Sequence, residues 1–124
     1  MSASEREILR LERAQVTDFN RHRIRALLAQ YATGFIGFSS TRHKRIAGRA
    51  ALAQTFHHYL KVSPRVRYAI TQPKIQILGD AAVASFYWKV QLAPGHHVAG
   101  RGTHVMVRQR GQWKIVHEHF SRSH

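Results

Sequence analysis

Gly100-Arg101-Gly102-Thr103-His104-Val105-Met106-Val107-Arg108, a turn at Gln109-Arg110-Gly111-Gln112, and the return Trp113-Lys114-Ile115-Val116-His117-Glu118-His119-Phe120-Ser121 decide the fold. Two β-rich runs joined by a short loop containing glycine predict an antiparallel hairpin. Apolar residues occur at both odd and even positions of the return. A strand with one face in water would alternate apolar with polar residues, so this hairpin must be covered on both faces.

Working backward, the residues before the hairpin also read as strands. Val66, Tyr68 and Ile70 begin one, Pro73 predicts an edge position or a bulge, and a Gly79-Asp80 turn follows. Residues 81–92 form a long strand that Pro94-Gly95 ends. Before Pro64 the period is helical. Ser4-Glu5-Arg6-Glu7 fits a capping box, and Ile8, Leu9, Val16 and Phe19 stripe the first helix. Ile24, Leu27, Leu28 and Tyr31 stand at i, i+3, i+4 and i+7 of a second helix. Residues 33–40 read as a short strand and 41–45 as a loop. Gly48 opens a third helix with Leu52, Phe56, Tyr59 and Leu60 on its apolar side. Three helices followed by four long strands give an α+β class with helices on one face of an antiparallel sheet. The 124 residues form a single domain, 1–124.

Composition narrows the chemistry. Cys is absent, which excludes disulfides and thiolate catalysis. No apolar run is long enough to span a bilayer and nothing resembles a leader, so a cytoplasmic protein is expected. Lys and Arg number 20 against six Asp and Glu, a formal net charge of +14. Such a field favours polyanions, nucleic acid among them, although the basic residues are dispersed as on a solvated surface. His117 and His119 have the spacing of a two-histidine start to a metal site, but no carboxylate cluster joins them, so no metal or cofactor is expected. No G-x-S-x-G, P-loop or G-x-G-x-x-G occurs.

The return strand carries the pattern GxWxIVHxHxS. With residues 73–82 (PKIQILGDAA), 103–121 and Phe56-His57-His58-Tyr59-Leu60, it resembles the nuclear transport factor 2-like superfamily. The resemblance is to SnoaL-like proteins and to the association (hub) domain of calcium/calmodulin-dependent protein kinase II. It implies a cone: a curved antiparallel sheet wrapped around N-terminal helices, enclosing a pocket. It also implies self-association through the sheet, as a dimer or a larger ring. The hub pocket's arginines match Lys89, His104 and Phe120 here, of which only Lys89 keeps a fixed charge. SnoaL-like proteins carry acids where residues 23–35 have Arg, Thr and Gly, a departure that suggests adaptation to an anionic partner or surface supercharging.

Unbroken strand parity then divides the residues. Tyr87, Lys89, His104, Glu118 and Phe120 are expected to face the pocket, with Tyr31, Phe56 and Tyr59 as its walls. Phe86, Trp88, Trp113, Ile115, His117 and His119 are expected to form the assembly face. Three functions stay open: a self-associating pocket protein without demonstrable catalysis, an isomerase- or cyclase-type enzyme using Glu118 and His104 as acid–base partners, and a non-specific nucleic-acid-binding module.

Overall fold

The computed structural model describes residues 1–123. The chain runs α1 (Ala3–Asn20), α2 (Ile24–Leu28), β1 (Tyr31–Phe38), β2 (Ile46–Ala47), α3 (Gly48–Val62), β3 (Arg67–Leu78), β4 (Ala81–Ala93), β5 (His96–Gln109) and β6 (Gln112–Arg122). The six strands form one sheet in the order β2-β1-β6-β5-β4-β3. Pairing is antiparallel from β3 to β6, as expected, while β1 runs parallel to β6. The class is α+β, with the helices against one face of the sheet.

Helix α1 begins two residues earlier than its sequence suggested. Ser2 is the N-cap: its Oγ accepts from Glu5 N at 3.1 Å, and Glu5 Oε1 accepts from Ser2 N at 3.4 Å. The inward positions are Ile8, Glu12, Gln15 and Phe19, at i, i+4, i+7 and i+11, so two polar side chains share the apolar stripe. At its far end Asn20 clamps the backbone of Tyr68, donating to the carbonyl and accepting from the amide, each at 2.8 Å. This pins α1 across β3.

The second helix stops at Leu28 and does not reach Tyr31. Gln30 O accepts from Ile115 N at 2.9 Å and Ala29 O accepts from Lys114 Nζ at 2.6 Å, so the chain leaves the helix to join β6. Tyr31 therefore opens a strand opposite Ile115. Arg49 of α3 fixes that start, its Nε and Nη2 donating to Tyr31 O at 3.0 and 2.6 Å. In β3 the register shifts between Thr71 and Lys74, where Gln72 has φ 54°, and the strand lies at the sheet edge. The position expected of Pro73 is thus met.

Two parities require correction. Cross-strand partners share a face, and Ala84 pairs with His104, which pairs with Glu118; Phe86 pairs with Gly102, which pairs with Phe120. Phe86 and Trp88 therefore lie on the inner face with His104 and Glu118, not on an assembly face. Tyr87 and Lys89 point outward, away from the pocket in which they were expected. On β6, His117 pairs with Val105 but Ile115 pairs with Met106, leaving Val116 as an extra residue in a bulge. The bulge inverts the parity. Trp113 and Ile115 face inward, buried, while His117 and His119 face outward.

The inner face is shaped by glycines. A Cβ at Gly100 would lie 2.6 Å from the Trp88 ring, and one at Gly102 would lie 2.6 Å from the Phe86 ring. These glycines make room for two large aromatics rather than marking a turn. The buried core gathers Ile8, Leu27, Phe35, Leu52, Met106 and Ile115 at one end of the inner face. The other end stays open as a pocket.

Candidate functional site

Four polar side chains from four elements form a row that reaches the pocket floor at Tyr31 and Glu118. Glu12 comes from α1, Tyr31 from β1, His104 from β5 and Glu118 from β6. Glu12 Oε1 lies 2.6 Å from His104 Nδ1, and His104 Nε2 lies 3.0 Å from Glu118 Oε1. Tyr31 Oη donates to the same Glu118 Oε1 at 2.8 Å. All four are buried. Phe86 and Phe120 flank the imidazole, with ring centroids 5.3 and 5.7 Å away.

The electrostatics of the row follow from this geometry. Burial alone would strip the proton from His104. The carboxylates of Glu12 and Glu118, one on each ring nitrogen, outweigh it and raise its pKa from 6.5 to about 10. His104 is therefore an imidazolium donating both N–H groups. Tyr31 is driven well above the ordinary phenol range, first by burial and then by the charge of Glu118. It keeps its proton and donates it. A buried cation between two anions, with a phenol closing the row, meets the demand that interior charges be paired.

Two atoms stay free. Both donors go to Glu118 Oε1, and among the described residues Oε2 accepts no hydrogen bond. Glu118 lines the pocket, so Oε2 is the oxygen available to a ligand. Gln15 also lines the pocket, and its buried Nε2 has no partner. Its amide is close enough to Tyr31 to draw that phenol's pKa downward against the larger effects. Glu118 and Gln15 thus border one space.

That space has a volume of about 660 Å³, large enough for a small organic molecule. Tyr31, Phe56, Tyr59 and Phe120 line it. His104 lies behind Glu118 and does not reach the lining. Trp88 lines the pocket instead of an assembly face. Glu12 and Gln15 escaped the sequence reading because charged and amide residues on a helix default to the solvated side. Their spacing from Ile8 and Phe19 was the available signal. Among the described residues no group of three His, Cys, Asp or Glu side chains is placed to hold a metal, and no helix is long and apolar enough to cross a membrane.

The architecture has many relatives among solved structures. A nuclear transport factor 2-like protein of unknown function from Pseudomonas putida superimposes with a TM-score of 0.90 at 22% identity, covering 98% of this chain and 87% of the other. An uncharacterised protein with a cystatin-like fold from Caulobacter vibrioides gives 0.87 at 14% identity, covering 99% and 92%. The association domain of C. elegans calcium/calmodulin-dependent protein kinase II gives 0.79 at 18% identity, covering 96% and 95%. At these identities the likeness shows the fold alone. No curated protein matches the sequence significantly. The family model of the SnoaL-like domain matches residues 8–123, nearly the whole chain, and the protein belongs to the SnoaL-like family.

Proposed function

We propose that the protein is an acid–base enzyme moving a proton on a small, largely apolar carbonyl compound, an isomerase-type reaction. The observation that carries this reading is the buried row Glu12–His104–Glu118–Tyr31 ending in a free carboxylate oxygen at the pocket floor. Glu118 Oε2 is the base. It takes a proton from carbon next to the carbonyl; the C–H electron pair moves into the enolate, and the same proton returns to a second carbon. Gln15, whose side chain borders the pocket and whose buried Nε2 has no partner, turns its amide to donate to the oxygen on which charge develops. His104 and Tyr31 hold Oε1, so the carboxylate keeps one orientation and need not reorganise during transfer. In this reading His104 is a positioning residue for Glu118 and not a second group at the substrate.

Base-promoted ring opening of nitrobenzisoxazole, an apolar probe, tests the reading without knowledge of the natural substrate. The wild-type protein is expected to accelerate it, and Glu118→Gln to lower the rate by about 100-fold. Equal rates in the two proteins would remove Glu118 as the base.

A second reading concerns the outer face and is independent of catalysis. Tyr87 is 52% and Ile36 43% exposed there. Phe38 meets His117 edge-on and His119 at a tilt, with ring centroids 6.3 and 5.5 Å away. These residues support self-association through the sheet, and one structural neighbour is named an association domain. The outward positions of β3 to β6 also carry Arg67, Lys74, Lys89 and Arg101 and, among the described residues, no Asp or Glu. That charge supports the competing reading of the same face, contact with a polyanion.

A further inference from the structure

We infer that the pocket selects an amphiphilic acid: an apolar body whose anionic end is held at the rim by Arg122 and Arg42. This deepens the acid–base reading and rests on it for the identity of the reacting end. The inference starts from the alternation of β6. Beyond the bulge at Val116, Glu118, Phe120 and Arg122 follow one another at every second position and all three line the pocket. Glu118 is buried at the floor, Phe120 is half-buried in the wall, and Arg122 is exposed at the rim. Four residues along one strand set floor and rim about 13 Å apart. The wall between them is apolar, with Trp88, Val90, Leu92 and Val98 beside Phe120.

Phe38 pairs in parallel with His119, so the loop that follows β1 runs on beside the end of β6, and its Arg42 lines the same pocket. Its Nη1 donates to Thr55 Oγ1 at 3.4 Å, and Thr55 is buried in α3, where its hydroxyl donates to Ala51 O at 3.0 Å. That contact ties the guanidinium to α3, where Thr55 is also part of the lining. Neither arginine has a carboxylate partner among the described residues. Among the described residues Glu118 is the one acid of the lining, four residues down the strand from Arg122. Two unpaired guanidinium groups at one end, an apolar shaft and a carboxylate at the other discriminate by sign and by length. An anion is attracted at the rim and repelled at the floor, which orients the molecule with its reactive carbon inward.

Calorimetric titration with decanoate, decanol and decyltrimethylammonium reads both sign and orientation without turnover. Decanoate is expected to bind the wild-type protein about fivefold more tightly than decanol, the size of effect given by solvent-exposed ion pairs, with the ammonium weakest. The double variant Arg42→Gln/Arg122→Gln should lose that preference while its affinity for decanol stays the same. Glu118→Gln should keep the preference, because the rim is unchanged. Equal affinity for decanoate and decanol in the wild-type protein overturns the inference. So does a preference that persists in the double variant, or the absence of saturable decanoate binding. If the preference behaves as stated while Glu118→Gln leaves nitrobenzisoxazole turnover intact, the acid–base reading alone falls.

Discussion

The two faces of one sheet are built by opposite rules. On the inner face three large side chains have dedicated spaces: Gly100 lies beneath Trp88, Gly102 beneath Phe86, and His104 is held between Glu12 and Glu118. On the outer face, one residue away along the same strands, Tyr87, Lys89 and Arg101 stand in solvent. The difference teaches where substitution is costly. Inner positions are constrained by packing and by charge pairing, outer ones chiefly by what binds there.

The largest effect expected from breaking this contrast is at His104. His104→Leu leaves the buried carboxylates of Glu12 and Glu118 facing each other without a cation, and should destabilise the fold by about 3–5 kcal/mol in urea denaturation. The pH profile supplies an independent signature. The proton on His104 is held up to about pH 10 in the fold but only to about 6.5 in the unfolded chain. Its stabilisation is therefore complete below pH 6.5, declines as pH rises, and is gone once pH passes about 10. The wild-type protein should lose stability across that window, and His104→Leu should show a much flatter profile there. A parallel loss in both proteins would show that His104 is not the titrating group.

A smaller effect separates neighbouring residues. At Gly100 an added Cβ would collide with the carbonyl oxygen of Ser121, which belongs to the paired strand and cannot move aside alone. Gly100→Ala should cost about 3 kcal/mol, the upper part of the range for overpacking. Ala99→Ser, one position earlier and outward, should stay within about 0.5 kcal/mol. Similar losses at both positions would mean that the register across β5 and β6 differs from the one described.

Much of this architecture was legible in the sequence. The change from helical to alternating period near Pro64, the Gly79-Asp80 and Pro94-Gly95 turns and the final hairpin placed β3 to β6. Sidedness was not legible, because it depends on register. A bulge at Val116 reverses every assignment on one side of it, and nothing in Ile115-Val116-His117 marks which residue is extra. Phe86 and Trp88 changed faces for a related reason: alternation within β4 was read correctly, but pairing with β5, a tertiary property, decides which set looks inward. Tyr31 met the helical spacing of Ile24, Leu27 and Leu28, yet its neighbours' carbonyls bond to Lys114 and Ile115 instead. Glu118 and His104 stand on paired strands, so their meeting follows from the register of the final hairpin. Glu12, from a helix far away in sequence, completes the row only after folding.

The smallest effect on the isolated chain is expected at Tyr87, and it is the most informative about the outer face. Tyr87→Ala removes a ring that is already half in water, so monomer stability should change by no more than about 0.5 kcal/mol. If the outer face joins two copies, the same substitution should lower the dimer fraction measured by light scattering. Salt then separates the two readings of that face. Stacking two faces that each carry Arg67, Lys74, Lys89 and Arg101 brings like charges together, so added salt should screen the repulsion and strengthen self-association. Binding of a polyanion there must instead weaken steeply with salt, because cations on the protein replace counterions released from the partner. A dimer fraction that rises with salt in the wild-type protein, and falls at fixed salt in Tyr87→Ala, assigns the face to self-association. A single-stranded oligonucleotide whose affinity falls with salt, bound to a protein that stays monomeric throughout, assigns it to the polyanion.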